Sequence, residues 1–215
     1  MCHHYRAAAT LPAHFVDEFS IRESQRRLFE DLAADLKDRG AWPLKTVPAL
    51  RIDPSGELEV FAAEWGLLPG WWKPSDKTPK RSTFQRKTIN ARSETAASKP
   101  TFRDAWRRRR CLLPLEEFFE RGHYFALDDT RPPMAFAGLW ERWTGAADGD
   151  VHSVTLLTTE PNSDVRSVGH HRMPCLLTTP DERRRWLTEG ADTTVDPLLR
   201  PIGDVRLAVR PSAGS

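Results

Sequence analysis

The second half of the chain is a succession of short apolar runs, each bounded by turn residues, with few helical patterns between them. Runs of this length and composition predict β-strands. The candidate strands cover residues 110–113, 118–120, 123–127, 134–143, 151–159, 173–177 and 204–209. Because these strands are not regularly interleaved with helices, we expect an α+β fold with a curved, mostly antiparallel sheet or an open β-barrel flanked by short helices.

The first half adds one helix and one hairpin. Apolar residues recur at near-helical spacing between Phe15 and Leu36, and strands at 47–52 and 57–65 flank the turn Asp53–Gly56. Short helices are expected from Ser93, from a capping box at Thr101–Asp104, and from Thr179–Glu182. We find no internal repeat or linker, which predicts a single domain over residues 1–215.

Composition excludes several classes of protein. Of 215 residues, 39% are apolar and 29% charged, which is typical of a soluble globular protein. No apolar run is long enough for a transmembrane helix or a signal peptide, so we expect a cytoplasmic protein without membrane contact. The three cysteines show no zinc-binding spacing, Cys111 and Cys175 fit buried core positions, and no phosphate-binding glycine loop is present. We therefore expect no metal and no cofactor.

Positive charge is concentrated in residues 66–110. This segment holds thirteen Lys and Arg against three acidic residues, a local charge of +10 in a chain whose net charge is +2. Such a field favours a polyanionic partner. Basic residues alternate there with aromatic ones, as in single-strand binders. The candidate DNA-binding residues are Arg86, Lys87, Arg92, Trp71 and Trp72, and we expect Trp71 or Trp72 to be exposed while Trp65, Trp106 and Trp140 are buried.

The chain begins Met1-Cys2, and removal of Met1 would leave a cysteine with a free α-amine. Unperturbed pKa values of about 8 for the amine and about 8.5 for the thiol leave both groups partly nucleophilic at neutral pH. A 1,2-aminothiol attacks an aldehyde twice, because the amine forms a Schiff base and the sulfur then closes a thiazolidine ring.

Other segments carry side chains suited to chemistry. Asn90 can donate and accept hydrogen bonds at once, and Arg92 can grip a phosphate with two hydrogen bonds, although an ion pair with Glu94 is the alternative. An imidazole has the pKa for proton delivery, and His170 and His171 are equal rivals on the residues alone.

The order and spacing of seven segments resemble the SOS-response-associated peptidase (SRAP) family. These segments are Cys2, Trp65–Pro69, Asn90–Glu94, Arg110–Glu120, Ala137–Glu141, Leu157–Thr159 and His170–Pro174. The resemblance implies a single α+β domain built on a barrel-like sheet. It also implies that the mature N-terminal cysteine forms a thiazolidine with the aldehyde of an abasic site in single-stranded DNA.

The resemblance assigns roles to the catalytic candidates Cys2, Asn90, Glu120 and His170. His170 would protonate the closed sugar so that its aldehyde is released, and Glu120 would take a proton from the Cys2 amine. The chain departs from the family at His3 and His4, where many members have Gly-Arg. It departs again at Glu117 and Arg121, where the family often has a glycine and a tryptophan on either side of the segment that ends in the glutamate.

Three hypotheses follow. The first is a monomeric sensor of abasic sites in single-stranded DNA that forms a covalent DNA–protein crosslink through Cys2, is nucleoid-associated when bound, and loses Met1 by self-cleavage or by a methionine aminopeptidase. The second is a thiol peptidase acting on other proteins with Cys2 as nucleophile, which would have no need of the +10 segment. The third is a non-catalytic nucleic-acid-binding module in which Cys2 is idle.

Overall fold

A β-barrel lies at the centre of the protein, and the strand that closes it pairs with a neighbouring strand along each of its two edges. The structure, a computed structural model, describes residues 2–11, 15, 19–36, 38–128, 134–146, 149–189, 196–203 and 207–212. The strands among them are β1 Tyr5–Ala7, β2 Thr46–Ile52, β3 Leu58–Trp65, β4 Asn90–Arg92, β5 Arg110–Glu120, β6 His123–Ala126, β7 Met134–Ala146, β8 Gly149–Thr159, β9 Met173–Pro174, β10 Leu176–Leu177 and β11 Ala208–Pro211.

Five of these strands form the barrel, in the order β7-β8-β3-β2-β5. The strand β5 pairs with β2 through Leu50 and Leu112 and with β7 from Arg110 to Leu115, so the ring closes. The pairings are antiparallel except that β3 and β4 each run parallel to β8. The α+β fold with short helices is confirmed, and the barrel is closed and mixed.

The described helices are short. They are α1 Glu23–Ala34, α2 Arg81–Gln85, α3 Ser93–Ala96, α4 Arg103–Arg108, α5 Ser163–Ser167 and α6 Pro180–Thr188, and a 3-10 turn follows at Asp196–Leu199. None of the helices in this part of the chain has the length and apolarity needed to span a membrane.

Local signals explain where several elements begin and end. In the β2–β3 hairpin the Asp53 carboxylate accepts hydrogen bonds from the amides of Ser55 and Glu57 at 2.8 and 3.0 Å, which fixes the predicted turn. Thr179 and Glu182 form the predicted capping box at the start of α6. The box predicted at Thr101–Asp104 is wrong, because α4 begins after Phe102 without a side-chain cap. Ser93 does not cap α3 but is its first residue.

The core has two main parts. One fills the barrel and includes Cys2, Tyr5, Trp65 and Cys111, and the other lies between the barrel wall and the helices and includes Trp106. Trp65 and Trp106 are buried as predicted, whereas Trp140 is only half-buried and faces the Arg51 guanidinium. Because Cys2 belongs to the barrel core, the start of the chain is held against the carboxyl end of β5.

Candidate functional site

Antiparallel pairing between β1 and β5 brings Cys2 to Glu120. Tyr5 lies opposite Phe118, and the amide of Phe119 donates to the carbonyl of His4 at 3.0 Å. Continuing this register places His3 opposite Glu120 at the end of β5, and Cys2 follows one residue beyond. Two residues 118 positions apart therefore meet at one rim of the barrel. Met1 lies outside the described residues.

The thiol of Cys2 is fully buried and protonated. Its Sγ donates to the carbonyl oxygen of His4 at 3.5 Å. Burial raises the pKa of this thiol well above its usual value, and the negative charge of Glu120 raises it further. The expectation of a partly ionised thiol at neutral pH is therefore wrong for Cys2 as it sits in the folded chain, since burial disfavours the thiolate.

Asn90 fixes the backbone of Cys2. Its Nδ2 donates to the Cys2 carbonyl at 2.7 Å, and its backbone pairs with Leu156 of β8 as the first residue of β4. Its Oδ1 is buried and finds no hydrogen-bond partner among the residues that the structure describes. An unsatisfied buried acceptor costs free energy, so this oxygen is poised to receive a donor at the site.

Glu120 and His170 form a buried pair at the same rim. His170 Nε2 lies 3.2 Å from Glu120 Oε2, and both side chains are at least 95% buried. Burial raises the pKa of Glu120 to about 6 and lowers the pKa of His170. Because a carboxylate and a neutral Nε2 are both acceptors, the contact is a hydrogen bond only when a proton lies between them.

The structure distinguishes the two adjacent histidines. His170 is buried against Glu120, whereas His171 is exposed and its ring lies parallel to that of His170 with centroids 5.1 Å apart. The turn before them requires Gly169, whose φ of +79° is strained for any other residue. Of the two adjacent histidines, His170 is the one placed against Glu120.

Arg172 orients the His170 ring through its backbone. Its carbonyl oxygen lies 2.7 Å and its amide nitrogen 3.2 Å from His170 Nδ1, so the backbone of Arg172 fixes the ring and leaves Nε2 facing Glu120. The Arg172 guanidinium donates to both carboxylate oxygens of Glu94, at 2.6 and 2.9 Å. The sequence suggests Glu94 only as a partner of Arg92, because Glu94 and Arg172 are 78 positions apart and their contact cannot be read from the chain.

The candidate DNA-binding residues fall into two groups. Arg86, Lys87 and Arg92 are exposed, and so is Trp71, at 54%. Trp72 is only 4% exposed and packs in a small core with Trp143, whose ring centroid lies 5.5 Å away. The prediction that Trp72 binds DNA is therefore not supported, because its ring has no free face for a base.

Sequence reasoning also missed an aromatic cluster beside Cys2. His4, which departs from the family pattern, stacks on Trp42 with centroids 4.2 Å apart and planes 11° apart. Trp42 remains 41% exposed. The only available signal was the pair His3-His4 itself, since nothing near Trp42 in the sequence points to the N-terminus.

No group of three or more His, Cys, Asp or Glu side chains within the described ranges is arranged to hold a metal ion. The groups gathered at the rim are instead a buried thiol, a backbone position that becomes an amine on Met1 removal, a carboxyl–imidazole pair and an amide. Together they can form and protonate bonds to an electrophilic carbon.

Comparison with known structures confirms the fold. A crystal structure of a protein from Bacteroides thetaiotaomicron superposes with a TM-score of 0.77 over 99% of this chain and 93% of that one, at 22% identity. A protein from Bordetella bronchiseptica gives 0.73 over 99% and 100%, at 26% identity.

Comparison of sequences gives the family. The abasic site processing protein YoqW of Bacillus subtilis is 36% identical over 134 residues, which cover 57% of this chain and 54% of the relative. The abasic site processing protein HMCES of Gallus gallus is 28% identical over 180 residues, or 70% and 52%. The chain spans about half the length of these curated relatives. The family described as SOS response associated peptidase (SRAP) matches residues 1–213, and the chain therefore belongs to the SRAP family.

Proposed function

We propose that this protein processes abasic sites in DNA by capturing the aldehyde of an abasic sugar in single-stranded DNA as a thiazolidine on Cys2. The observation that carries the proposal is the meeting of Cys2, Asn90 and the Glu120–His170 pair at one rim of the barrel. The relatives that share the family are named abasic site processing proteins, which supports the same substrate class.

The proposed reaction begins with cleavage of the Met1–Cys2 peptide bond, which frees the α-amine of Cys2. Self-cleavage at this site and a methionine aminopeptidase are both consistent with the family description. The abasic sugar is mainly a closed hemiacetal, and a proton delivered by His170 to the ring oxygen releases its aldehyde. Glu120, as a carboxylate, accepts a proton from the Cys2 ammonium and leaves a nucleophilic amine.

Two bonds then form at the aldehyde carbon. The amine adds to the carbonyl and loses water to give a Schiff base, and the Cys2 sulfur adds to the same carbon. The thiol proton passes to the imine nitrogen, so the overall change is aldehyde plus aminothiol to thiazolidine plus one water. The thiol reacts in the second step, after the amine. Its raised pKa hinders this step less than it would hinder attack on a free aldehyde, because the adjacent iminium is a stronger electrophile.

Asn90 supports both steps from one position. Its Nδ2 holds the Cys2 carbonyl at 2.7 Å, so the amine on the same residue keeps a fixed direction. Its buried Oδ1 is available to accept from that amine or from a sugar hydroxyl. Such fixed geometry favours ring closure, because both nucleophilic groups then stay near one carbon.

A thiol peptidase acting on other proteins is the rival function. Such an enzyme needs a thiolate, and its cysteine normally donates to an imidazole. Here the Cys2 thiol donates to the His4 carbonyl, and its burial opposes ionisation. Both observations favour the capture of an aldehyde over peptide hydrolysis.

The experiment is a denaturing gel of the protein mixed with single-stranded DNA containing one abasic site. The wild type should give a shifted band that survives denaturation without a reductant. Cys2→Ala should abolish this band, and Cys2→Ser should give only a Schiff base that needs borohydride for trapping. Intact mass measurement of the free protein reports whether Met1 has been removed. A stable adduct from Cys2→Ala would overturn the proposal.

A further inference from the structure

Trp42 is an exposed tryptophan locked to the segment that carries Cys2. The amide of Ala41 donates to the carbonyl of Tyr5 at 2.7 Å, and the Tyr5 amide donates back to Ala41 at 3.2 Å. Trp42 follows directly and is 41% exposed, although an indole of this size is usually buried. Its position relative to Cys2 is therefore fixed by main-chain hydrogen bonds.

The indole is held in place from one side. The His4 ring stacks on it with centroids 4.2 Å apart and planes 11° apart, and the indole Nε1 donates to the Arg39 carbonyl at 2.7 Å. Gly40 makes room for this arrangement, because a Cβ there would collide with the His4 ring. With one face covered and the N–H satisfied, the exposed surface of Trp42 lies on the opposite face and the ring edges.

His3 links Trp42 to the reacting centre. The ring of His3, itself exposed, has its centroid 6.2 Å from that of Trp42. His3 is also close enough to Glu120 for its charge to lower the pKa of that carboxyl, after the larger opposing effect of burial. Arg39 and Lys45 are exposed on either side of Trp42 in the chain. Exposed aromatic side chains with exposed basic residues nearby in the chain are typical of proteins that bind single-stranded nucleic acid.

We propose that Trp42 is the stacking platform for the nucleobase next to the abasic sugar, with His4 as its rigid support. This inference rests on the proposed function, because it requires the abasic sugar to sit at Cys2. The chemistry of the substrate favours it: a base beside an abasic sugar has lost its stacking neighbour on that side, so one face is free to receive an indole. A stacked base on Trp42 would hold the strand without any base-specific hydrogen bond.

The test is a double-mutant cycle between the protein and the DNA. The probe is a fluorescent single-stranded oligonucleotide with one tetrahydrofuran residue, which mimics the abasic sugar but has no aldehyde and forms no adduct. Two further oligonucleotides lack, in addition, the nucleobase on the 5′ side or the nucleobase on the 3′ side of the tetrahydrofuran residue. Anisotropy should show that Trp42→Ala raises the Kd for the first probe roughly 5- to 150-fold, the range expected for one stacked base. On the probe that lacks the stacked base, Trp42→Ala should have little further effect.

Two control variants separate stacking from folding. Trp42→Phe keeps an aromatic face and should retain most of the affinity, whereas Leu28→Ala removes an equally exposed apolar side chain from α1 and should change nothing. Because an indole carries no charge, Trp42→Ala should leave the salt dependence of binding unchanged. An equal loss of affinity on all probes, or no loss on any, would overturn the inference. Absence of an adduct between the wild type and aldehyde-containing DNA would instead count against the proposed function, and the anisotropy cycle would still decide the role of Trp42.

Discussion

His170 Nε2 and Glu120 Oε2 lie 3.2 Å apart in a site where both side chains are buried, although 50 residues separate them. The Nδ1 of the same imidazole contacts the backbone carbonyl and amide of Arg172 at 2.7 and 3.2 Å, so Nε2 is the nitrogen that can exchange a proton with Glu120. With one proton in the pair, one partner can deliver that proton and the other can accept one from a substrate or from the Cys2 ammonium. This is what the release of an aldehyde and the activation of an amine require.

The first prediction separates the roles of the two residues. His170→Ala should slow adduct formation on a closed abasic sugar by about 10²–10⁴-fold, the usual contribution of a general acid, but should matter much less for an open-chain aldehyde. Glu120→Gln should slow both substrates, because the amine must lose its proton in either case. Time courses on denaturing gels measure these rates. His171→Ala is the matched control, since His171 is exposed, and a larger effect from it than from His170→Ala would contradict the assignment.

The second prediction concerns the pH dependence of the rate. Burial raises the pKa of Glu120 to about 6, so the carboxylate is lost as pH falls through that value and the wild-type rate should fall with it. On the closed sugar the acid is needed as well, and because burial lowers the pKa of His170, the rate should fall again as pH rises beyond the acid limb. Glu120→Gln should lose the step near pH 6 and keep only the part of the profile that comes from the amine. An unchanged acid limb in this variant would show that the carboxyl does not titrate in the reaction.

The third prediction is that Glu120 makes the fold less stable at high pH. A carboxyl with a raised pKa in the folded state contributes stability below its unfolded pKa of about 4.3, and that contribution is lost as pH rises through about 6. Glu120→Gln should therefore unfold at a higher temperature than the wild type at pH 8, by the equivalent of about 1–2 kcal/mol, and the difference should shrink towards pH 4. Thermal unfolding at several pH values measures it. A lower melting temperature for the variant at pH 8 would contradict the prediction.

The fourth prediction is that Glu94 is a positioning residue that acts through Arg172. Glu94→Gln removes the charge that holds the Arg172 guanidinium, so the backbone carbonyl that orients His170 should become less well fixed. Adduct formation on the closed sugar should slow by about tenfold, the lower end of the effect of losing a hydrogen bond to a charged group, which is worth about 1.5–3 kcal/mol. Affinity for intact single strands should not fall. Glu57→Gln, which removes an exposed partner of Arg22, should leave the rate unchanged. An equally slow reaction on the open-chain aldehyde would argue that Glu94 only supports the fold.

The fifth prediction tests Arg92 as a phosphate contact. Arg92→Ala should weaken binding to intact and abasic single strands alike and reduce the log–log salt slope by roughly 0.7, the value for one phosphate contact on a single strand. Arg142→Ala is the control. Arg142 pairs with Asp150 near the start of β8, whereas Arg92 lies opposite Thr158 near the end of the same strand. The same slope in wild type and Arg92→Ala would show that the residue is only structural.

Features that depend on neighbouring residues could be predicted from the sequence. The turn that starts at Asp53 and the capping box at Thr179 were both predicted, because the donors and acceptors that form them lie within five residues of one another. The family was also recognisable, since it depends on the order of short segments rather than on their contacts. By contrast, Trp71 and Trp72 are adjacent and chemically identical, and the sequence could not tell that the first is exposed while the second is buried against Trp143.

The sequence by itself determined the strand-rich α+β class, the local turns and caps, and the set of residues suited to chemistry at Cys2. The tertiary structure alone decided that β5 closes the barrel, that the Cys2 thiol is buried and protonated, and that Glu120 meets His170 rather than His171. It also decided that Trp42 stands exposed beside the start of the chain. The physical reason is the distance along the chain between the residues that interact. Turns and caps are set by hydrogen bonds between near neighbours, whereas burial and pKa values depend on which distant strands pair, and that pairing is decided by the packing of the whole barrel.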